Sequence, residues 1–202
     1  MIIICALFFW TLPVQASLVT IQITAEVDSV YDDYGYLEGE IKPGDIISGF
    51  YIYESTTPDS SPSATIGRYE HLTPPYGIYL TVGGFDFETN TGNVAFRIDI
   101  INNGTTGGLH DGYGLISYNN LPLSNGTSVD TILWWLEDTS ATALSSDALP
   151  TTAPVLEDWQ TNQLNISGYR TFGIWGHVTS AIPEPATILL LWLGTILFRK
   201  RL

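Results

Sequence analysis

The chain contains a single cysteine and few basic residues. Its 202 residues include one Cys, at position 5, and seven Lys and Arg against 21 Asp and Glu, a net charge of −14 at pH 7. One thiol cannot form an internal disulfide or a multi-thiolate metal site, which excludes a disulfide framework. The negative charge argues against nucleic acid or an anionic membrane surface as a partner, because neither gains from pairing with acidic side chains.

The local motifs of common enzymes are also missing. The sequence has no Gly-x-Ser-x-Gly elbow, no His-Glu-x-x-His pair and no phosphate-cradling glycine loop. The three histidines, His71, His110 and His177, are scattered. A carboxylate pair for glycoside hydrolysis stays open, because its separation is set by the fold. We therefore expect a non-enzymatic protein, with a secreted glycan-active enzyme as the least favoured alternative.

Sustained helical periodicity is missing between residues 17 and 180. Residues 18–27 alternate between apolar and polar, which is typical of a half-buried strand. Turn signals rich in Gly, Pro and Asn recur at intervals of roughly ten residues. The pattern predicts an all-β fold, a single antiparallel β-sandwich of jelly-roll type. Predicted strands cover 18–27, 34–41, 45–54, 67–72, 77–88, 93–101, 113–118, 129–137 and 169–179, with one possible helical turn at 146–149.

The C-terminal segment has three parts in a fixed order. Pro183, Glu184 and Pro185 precede an uncharged apolar run, residues 186–198, and the basic residues Arg199, Lys200 and Arg201 follow it. Thirteen apolar residues form a short transmembrane helix, which flanking side chains can extend. Cations beside such a helix stay on the cytoplasmic side, so the bulk of the chain is expected on the opposite side.

This order resembles the PEP-CTERM sorting signal of exported bacterial proteins, over residues 181–202. The resemblance implies processing by an exosortase, a membrane enzyme thought to cut at the Pro-Glu-Pro motif, so that the helix is a temporary anchor. A more diffuse similarity to the ectodomains of these proteins covers residues 44–50, 57–59, 111–113 and 143–150. Such ectodomains are associated with exopolysaccharide and biofilm material. The resemblance therefore implies an envelope or extracellular-matrix protein.

The N-terminal segment agrees with export. Residues 2–12 form an apolar stretch of the length of a signal-peptide core, and small residues follow it. We expect signal peptidase to cut between Ala16 and Ser17, which divides the chain into a signal peptide (1–16), a β-sandwich ectodomain (17–180) and the sorting segment (181–202). Cys5 lies in the part that is removed, so the mature chain has no thiol.

Two groups of residues are candidates for ligand binding. Asp28, Asp32 and Asp33 cluster and offer the hard oxygen ligands that calcium prefers, although solvated loop carboxylates are the plainer interpretation. No other cofactor is indicated. Trp134, Trp135 and Trp159 are candidates for glycan contact, because an exposed aromatic ring beside hydrogen-bonding groups suits a sugar. Neighbouring strand residues point to opposite faces, so one of Trp134 and Trp135 is expected in the core. A carbohydrate-binding module is therefore the alternative function.

Overall fold

The structure is a computed structural model and describes residues 18–184, which form ten strands and one short 3-10 helix. In chain order the strands are β1 (Leu18–Tyr31), β2 (Ile46–Glu54), β3 (Ile66–His71), β4 (Gly77–Val82), β5 (Phe85–Glu88), β6 (Phe96–Gly104), β7 (His110–Ser117), β8 (Thr131–Asp138), β9 (Thr161–Ser167) and β10 (Gly173–Pro183). The 3-10 helix spans Leu156–Asp158. This part of the chain contains no α-helix.

All ten strands belong to one antiparallel sheet in the order β3-β6-β7-β8-β9-β10-β1-β2-β4-β5. The sheet curls so that its two halves face each other, and the hydroxyls of Tyr51 on β2 and Tyr113 on β7 meet at 3.0 Å. The predicted all-β, antiparallel fold is thus confirmed. The strands form one curled sheet, however, and not the two separate sheets of a jelly-roll-like sandwich. The expected signal helix and transmembrane helix lie outside the described residues.

Strand β1 shows how the sequence sets the inner face. Its alternate residues Val19, Ile21, Ile23, Ala25 and Val27 are all buried. β-Branched side chains pack well on a pleated surface, and a period of two places them all on one side. A one-residue slip would expose the whole set, so the hydrophobic pattern fixes the register of β1.

The core between the two halves is rich in aromatic rings whose polar atoms are paired. Trp134 is completely buried, and its ring lies edge-on to the rings of Tyr51 and Tyr113. Its indole N–H donates to Oδ1 of Asn162 at 3.0 Å. The Asn162 side chain also bonds the backbone N–H and C=O of Val178, at 3.1 and 2.7 Å. Since the β9–β10 ladder ends at Gly176, Asn162 continues it with a side-chain amide.

Most strand predictions are confirmed to within a few residues. The Gly83-Gly84 hairpin between β4 and β5 is present, and both glycines have the positive φ that a type I′ turn requires.

One predicted strand is absent from the structure, and one strand of the structure was not predicted. The segment 34–41 is a series of turns, because Asp32 accepts the backbone N–H groups of Tyr36 and Leu37 and positive φ at Gly35 and Gly39 bends the chain. Strand β9 was not predicted, since only Leu164 and Ile166 of its seven residues are apolar. The helical turn expected at 146–149 is absent, and the 3-10 helix lies further along the chain.

Replacing Asn162 with Ala removes three hydrogen bonds that join β8, β9 and β10. We expect the free energy of unfolding to fall by about 2 kcal/mol, because the Trp134 N–H and the Val178 backbone lose their partners. Urea denaturation measures the change. Asn165→Ala on the same strand is the matched control, since Asn165 makes one long bond of 3.4 Å. Equal losses in the two variants would contradict the bridging role of Asn162.

Candidate functional site

The outward face of the strands that run consecutively from β3 to β1 in the sheet (β3-β6-β7-β8-β9-β10-β1), here called the outer tryptophan face, carries two half-buried tryptophans. Trp135 on β8 lies over β7, where Gly112 and Gly114 are buried beneath its ring. A Cβ added at Gly112 or Gly114 would lie 3.1 or 2.7 Å from ring atoms. Glycine weakens a strand interior and often marks a close approach of another group. These two glycines leave the space that the indole occupies next to the β7 backbone.

The second tryptophan repeats the arrangement on β10. A Cβ added at Gly173 would lie 2.5 Å from the ring of Trp175, two residues further along the strand. Trp175 pairs with Asn165 of β9, which pairs with Leu133 of β8. Because cross-strand partners share a face, Trp175 and Trp135 are on the same side of the sheet.

A row of cross-strand partners runs through Trp135. The register aligns, from β3 to β9, Arg68, Asp99, Gly114, Trp135 and Gln163. Gln163 is exposed at one end of the row, and a buried ion-pair group stands at the other.

In that group, both carboxylate oxygens of Asp99 are held by arginines. Arg68 Nε lies 3.2 Å from Oδ1 and Arg97 Nη2 lies 2.9 Å from Oδ2. The Arg97 guanidinium also lies over the ring of Tyr118, at 5.5 Å from its centre, and donates to its hydroxyl. The outer tryptophan face therefore combines apolar rings with fixed charged and amide groups.

Two of the three predicted glycan contacts do not fit this geometry. Trp134 has no exposed surface and Trp159 is only 9% exposed, so neither ring can contact a glycan in this fold. The expectation that one of the adjacent pair is in the core is confirmed, with Trp134 inside and Trp135 outside. Trp175 was missed in the sequence. The signal available for it was a glycine two residues before a tryptophan within one strand.

The three candidate calcium ligands have separate partners. Asp28 lies at a β-bulge of β1 and its Oδ1 is 2.8 Å from His177 Nδ1. Asp32 accepts two backbone N–H groups in the following loop, and Asp33 lies beside the Tyr31 hydroxyl, where it raises the pKa of that phenol. Within residues 18–184, no three acidic, His or Cys side chains are arranged to hold a metal ion.

Two buried aspartates stand on neighbouring strands, Asp111 on β7 opposite Asp138 on β8. Asp111 accepts the backbone N–H groups of Asn103 and Leu144 at 2.8 Å. Asp138 accepts the backbone and hydroxyl groups of Ser140 and Thr142, among others, which hold its pKa well below the usual range. Both carboxylates therefore anchor loops, and Asp138 is an ionised acceptor and not a proton donor near neutral pH.

His71 is the one histidine in the core, with 2% of its surface exposed. Its Nε2 accepts the backbone N–H of Glu54 at 3.2 Å and lies 3.0 Å from the Thr57 hydroxyl. Its Nδ1 has no hydrogen-bond partner among residues 18–184. Burial lowers the pKa of His71, because the charged ring would lose its water.

The predicted sorting motif begins at the end of strand β10. Pro183 is the last residue of β10 and pairs with Ile21 of β1. The Glu184 N–H donates to the Thr20 carbonyl at 2.9 Å, and its carboxylate accepts from the Gln22 side chain at 3.3 Å. The other predicted processing residues, Ala16, Ser17, Pro185, Arg199, Lys200 and Arg201, lie outside the described residues.

Open clefts occur at several places on the surface of residues 18–184. One, of about 450 Å³, is lined by residues 152–157, 179–181 and 183. Another, of about 550 Å³, lies in the loop after β1 and includes Asp32, Asp33 and Lys42. A smaller one, of about 230 Å³, is lined by residues 106–110, Glu137 and Thr139, and so has both His110 and a carboxylate in its wall.

Comparison with protein-family models, with curated proteins and with solved structures finds no match for this chain. Among residues 18–184 there is no helix of the length and apolar character needed to cross a membrane.

The buried state of His71 predicts a pH-dependent stability. The unfolded chain takes up a proton at this ring near pH 6.5, while the folded chain does so only at lower pH. The free energy of unfolding should therefore fall as the pH drops below about 6.5, by up to about 1.4 kcal/mol per pH unit. Urea denaturation between pH 7.5 and 5 measures this decline.

The variant His71→Gln should flatten that decline while its side chain can still accept a hydrogen bond. His110→Asn, which removes a half-buried histidine at the start of β7, is the control and should keep the wild-type decline. An unchanged slope in His71→Gln would show that His71 is not its origin.

Proposed function

We propose that this chain is a non-enzymatic exported protein of the cell envelope or extracellular matrix, with a C-terminal segment of PEP-CTERM type. The observation that carries the proposal is the position of the motif. The last strand ends at Pro183, and Glu184 makes its last hydrogen bonds to β1 before the apolar run begins. A sorting enzyme that acts at Pro183–Pro185 would separate the apolar tail and leave the ten strands complete.

The first and last strands of the sheet begin and end close together, which agrees with processing of both chain ends at one membrane. β1 begins at Leu18, two residues after the proposed signal peptidase site, and the carbonyl of Thr20 binds the N–H of Glu184. The chain therefore enters and leaves the sheet at the same end. In this proposal the signal peptide directs export, and residues 186–198 with the basic end hold the precursor in the membrane until an exosortase acts.

The arrangement of titratable groups supports a non-enzymatic role. The buried carboxylates of Asp111 and Asp138 accept hydrogen bonds from N–H and hydroxyl groups of nearby loops. His71 is in the core, while His110 contacts a loop carbonyl and His177 contacts Asp28. These histidines therefore have separate surroundings, and within residues 18–184 no side-chain hydrogen bond joins any of them to Asp111 or Asp138, as a pair in acid–base chemistry would need.

A carbohydrate-binding module on the same delivery system is the second candidate. The observation that favours it is Trp135, a half-buried ring on the outer tryptophan face beside polar side chains. Binding to exopolysaccharide would retain the processed domain in the matrix without a covalent link.

The sorting proposal predicts a processed chain at both ends. In cells that contain an exosortase, mass spectrometry of the purified protein should give an N-terminus at Ser17 and a C-terminus within or next to Pro183–Pro185. Replacing Arg199, Lys200 and Arg201 with Gln, or Glu184 with Ala, should leave the apolar tail attached in most molecules, because the anchor or the cut site is lost.

Glu70→Ala, which removes an exposed carboxylate on the edge strand β3, is the matched control and should be processed like wild type. Cells without the sorting enzyme should accumulate the chain that ends at Leu202. If wild-type protein from exosortase-containing cells also ends at Leu202, the sorting proposal is wrong.

A further inference from the structure

We propose that the outer tryptophan face binds a neutral, extended polysaccharide, with Trp135 as the main platform and Trp175 as a second contact further along the polymer. This inference concerns the folded domain itself and does not depend on how the chain is exported or cut.

The setting of Trp135 suits a sugar ring. Its indole lies against Gly112 and Gly114 in the space that side chains at these positions would fill, so its six-membered ring is held next to the β7 backbone while the side chain stays partly exposed. The indole N–H is directed to Glu137 Oε2 at 3.3 Å, which further holds the orientation. A pyranose ring has an apolar C–H face and hydroxyls around its rim. A planar aromatic ring that is already held in place stacks on the C–H face of the sugar and leaves the rim hydroxyls free to bond polar groups.

Polar groups flank the ring on both sides along its cross-strand row. Gln163 on β9 is the direct partner of Trp135, is exposed, and offers an amide donor and acceptor. On the other side, two strands away, Asp99 is fixed by two arginines, and 43% of the Arg68 side chain is exposed. Neighbouring strands are about 4.8 Å apart, so these groups lie within reach of hydroxyls around a sugar centred on Trp135.

Charge selects the class of polysaccharide. The chain has a net charge of −14, and the outer tryptophan face includes Glu137 and, beside Trp175, the carboxylate of Asp28 paired with His177. Arg68 and Arg97 share the single carboxylate of Asp99, and Glu137 balances the positive charge that remains. The negative charge of the whole chain would therefore repel an anionic polymer, whereas hydroxyl-bearing neutral chains meet hydrogen-bonding groups without that repulsion.

The separation of the two rings selects an extended ligand. Trp135 reaches over β7, and Trp175 lies over Gly173 of its own strand, at the opposite end of the paired region. Strand spacing and rise place the rings on the order of 20 Å apart. The surface between them carries Asn165 and Leu133. A single sugar can occupy one ring only, while a polymer strand can contact both.

A purely structural role for the tryptophans makes a different prediction. Rings that only cover glycines would contribute to the stability of the sheet, and their removal would lower the melting temperature without changing any binding. Variants at the rim of the face separate the two cases, because Gln163 is exposed and its side chain forms no hydrogen bond to another residue within residues 18–184.

Affinity gel electrophoresis of the full chain tests the proposal. The gels contain a mixed-linkage β-glucan, a galactomannan, a xyloglucan or, as the anionic comparison, alginate. The protein is held in a polyoxyethylene detergent, which has no sugar headgroup. We expect retardation by at least one of the three neutral polymers and none by alginate.

Against the polymer that retards wild type, Trp135→Ala should weaken binding about tenfold or more, as expected for a central aromatic contact. Trp175→Ala and Gln163→Leu should weaken it severalfold, and Trp135→Phe should keep most of it. Tyr79→Ala removes a half-buried aromatic ring on β4, which β1 and β2 separate from β10 in the sheet, and should bind like wild type.

Thermal melts accompany each variant. Should Trp135→Ala fail to fold, Trp135→Phe, Trp175→Ala and Gln163→Leu still decide the matter. The proposal is overturned if wild type is retarded by none of the neutral polymers, if alginate retards it more strongly, or if Gln163→Leu and Trp175→Ala both fold and bind like wild type.

Discussion

The pairing of β1 with β10 is the constraint on which the fold depends. The first and last strands lie side by side, from Ile21 opposite Pro183 to Tyr31 opposite Gly173, and they connect the two halves of the curled sheet. Two register shifts in β1, at 24/25 and 27/29, mark bulges, which bend a strand and increase its twist. Contacts so distant in sequence carry a large loop-closure entropy and form late. The sheet is therefore completed only when residues 173–183 join it, and the proposed sorting motif begins at the end of that strand.

The interior uses its polar groups for structure. The Tyr51 and Tyr113 hydroxyls bond each other, Trp134 bonds Asn162, and the carboxylates of Asp111 and Asp138 gather loop N–H groups. Buried polar groups without partners are costly, so each of these pairings is needed for stability. Once they are made, these side chains have little capacity left for a ligand. Recognition is then left to the surface, where the outer tryptophan face is the most distinctive feature.

The sequence predicted the fold class and the faces of the regular strands because these follow from a period of two. β1 is the clearest case, since every apolar residue of its alternating set is buried. The same reasoning failed at β9, whose exposed side is polar and whose pairing comes from its neighbours β8 and β10. It also failed at 34–41, where side-chain bonds from Asp32 override an alternating pattern. Local propensity carries no information about such long-range and side-chain contacts.

Only part of the candidate site could be predicted from the sequence, for a related reason. Alternation placed one of Trp134 and Trp135 outside, but which one depends on the register against β7 and β9. Trp159 lies in an irregular stretch, where no period assigns a face. The glycines carry the missing information: Gly112 and Gly114 have weak strand propensity, yet they occupy a strand between two fully paired neighbours. Glycine is tolerated at these two positions because the indole of Trp135 packs against their backbone. The same packing restricts the position of the ring, which stays partly exposed on the outer face.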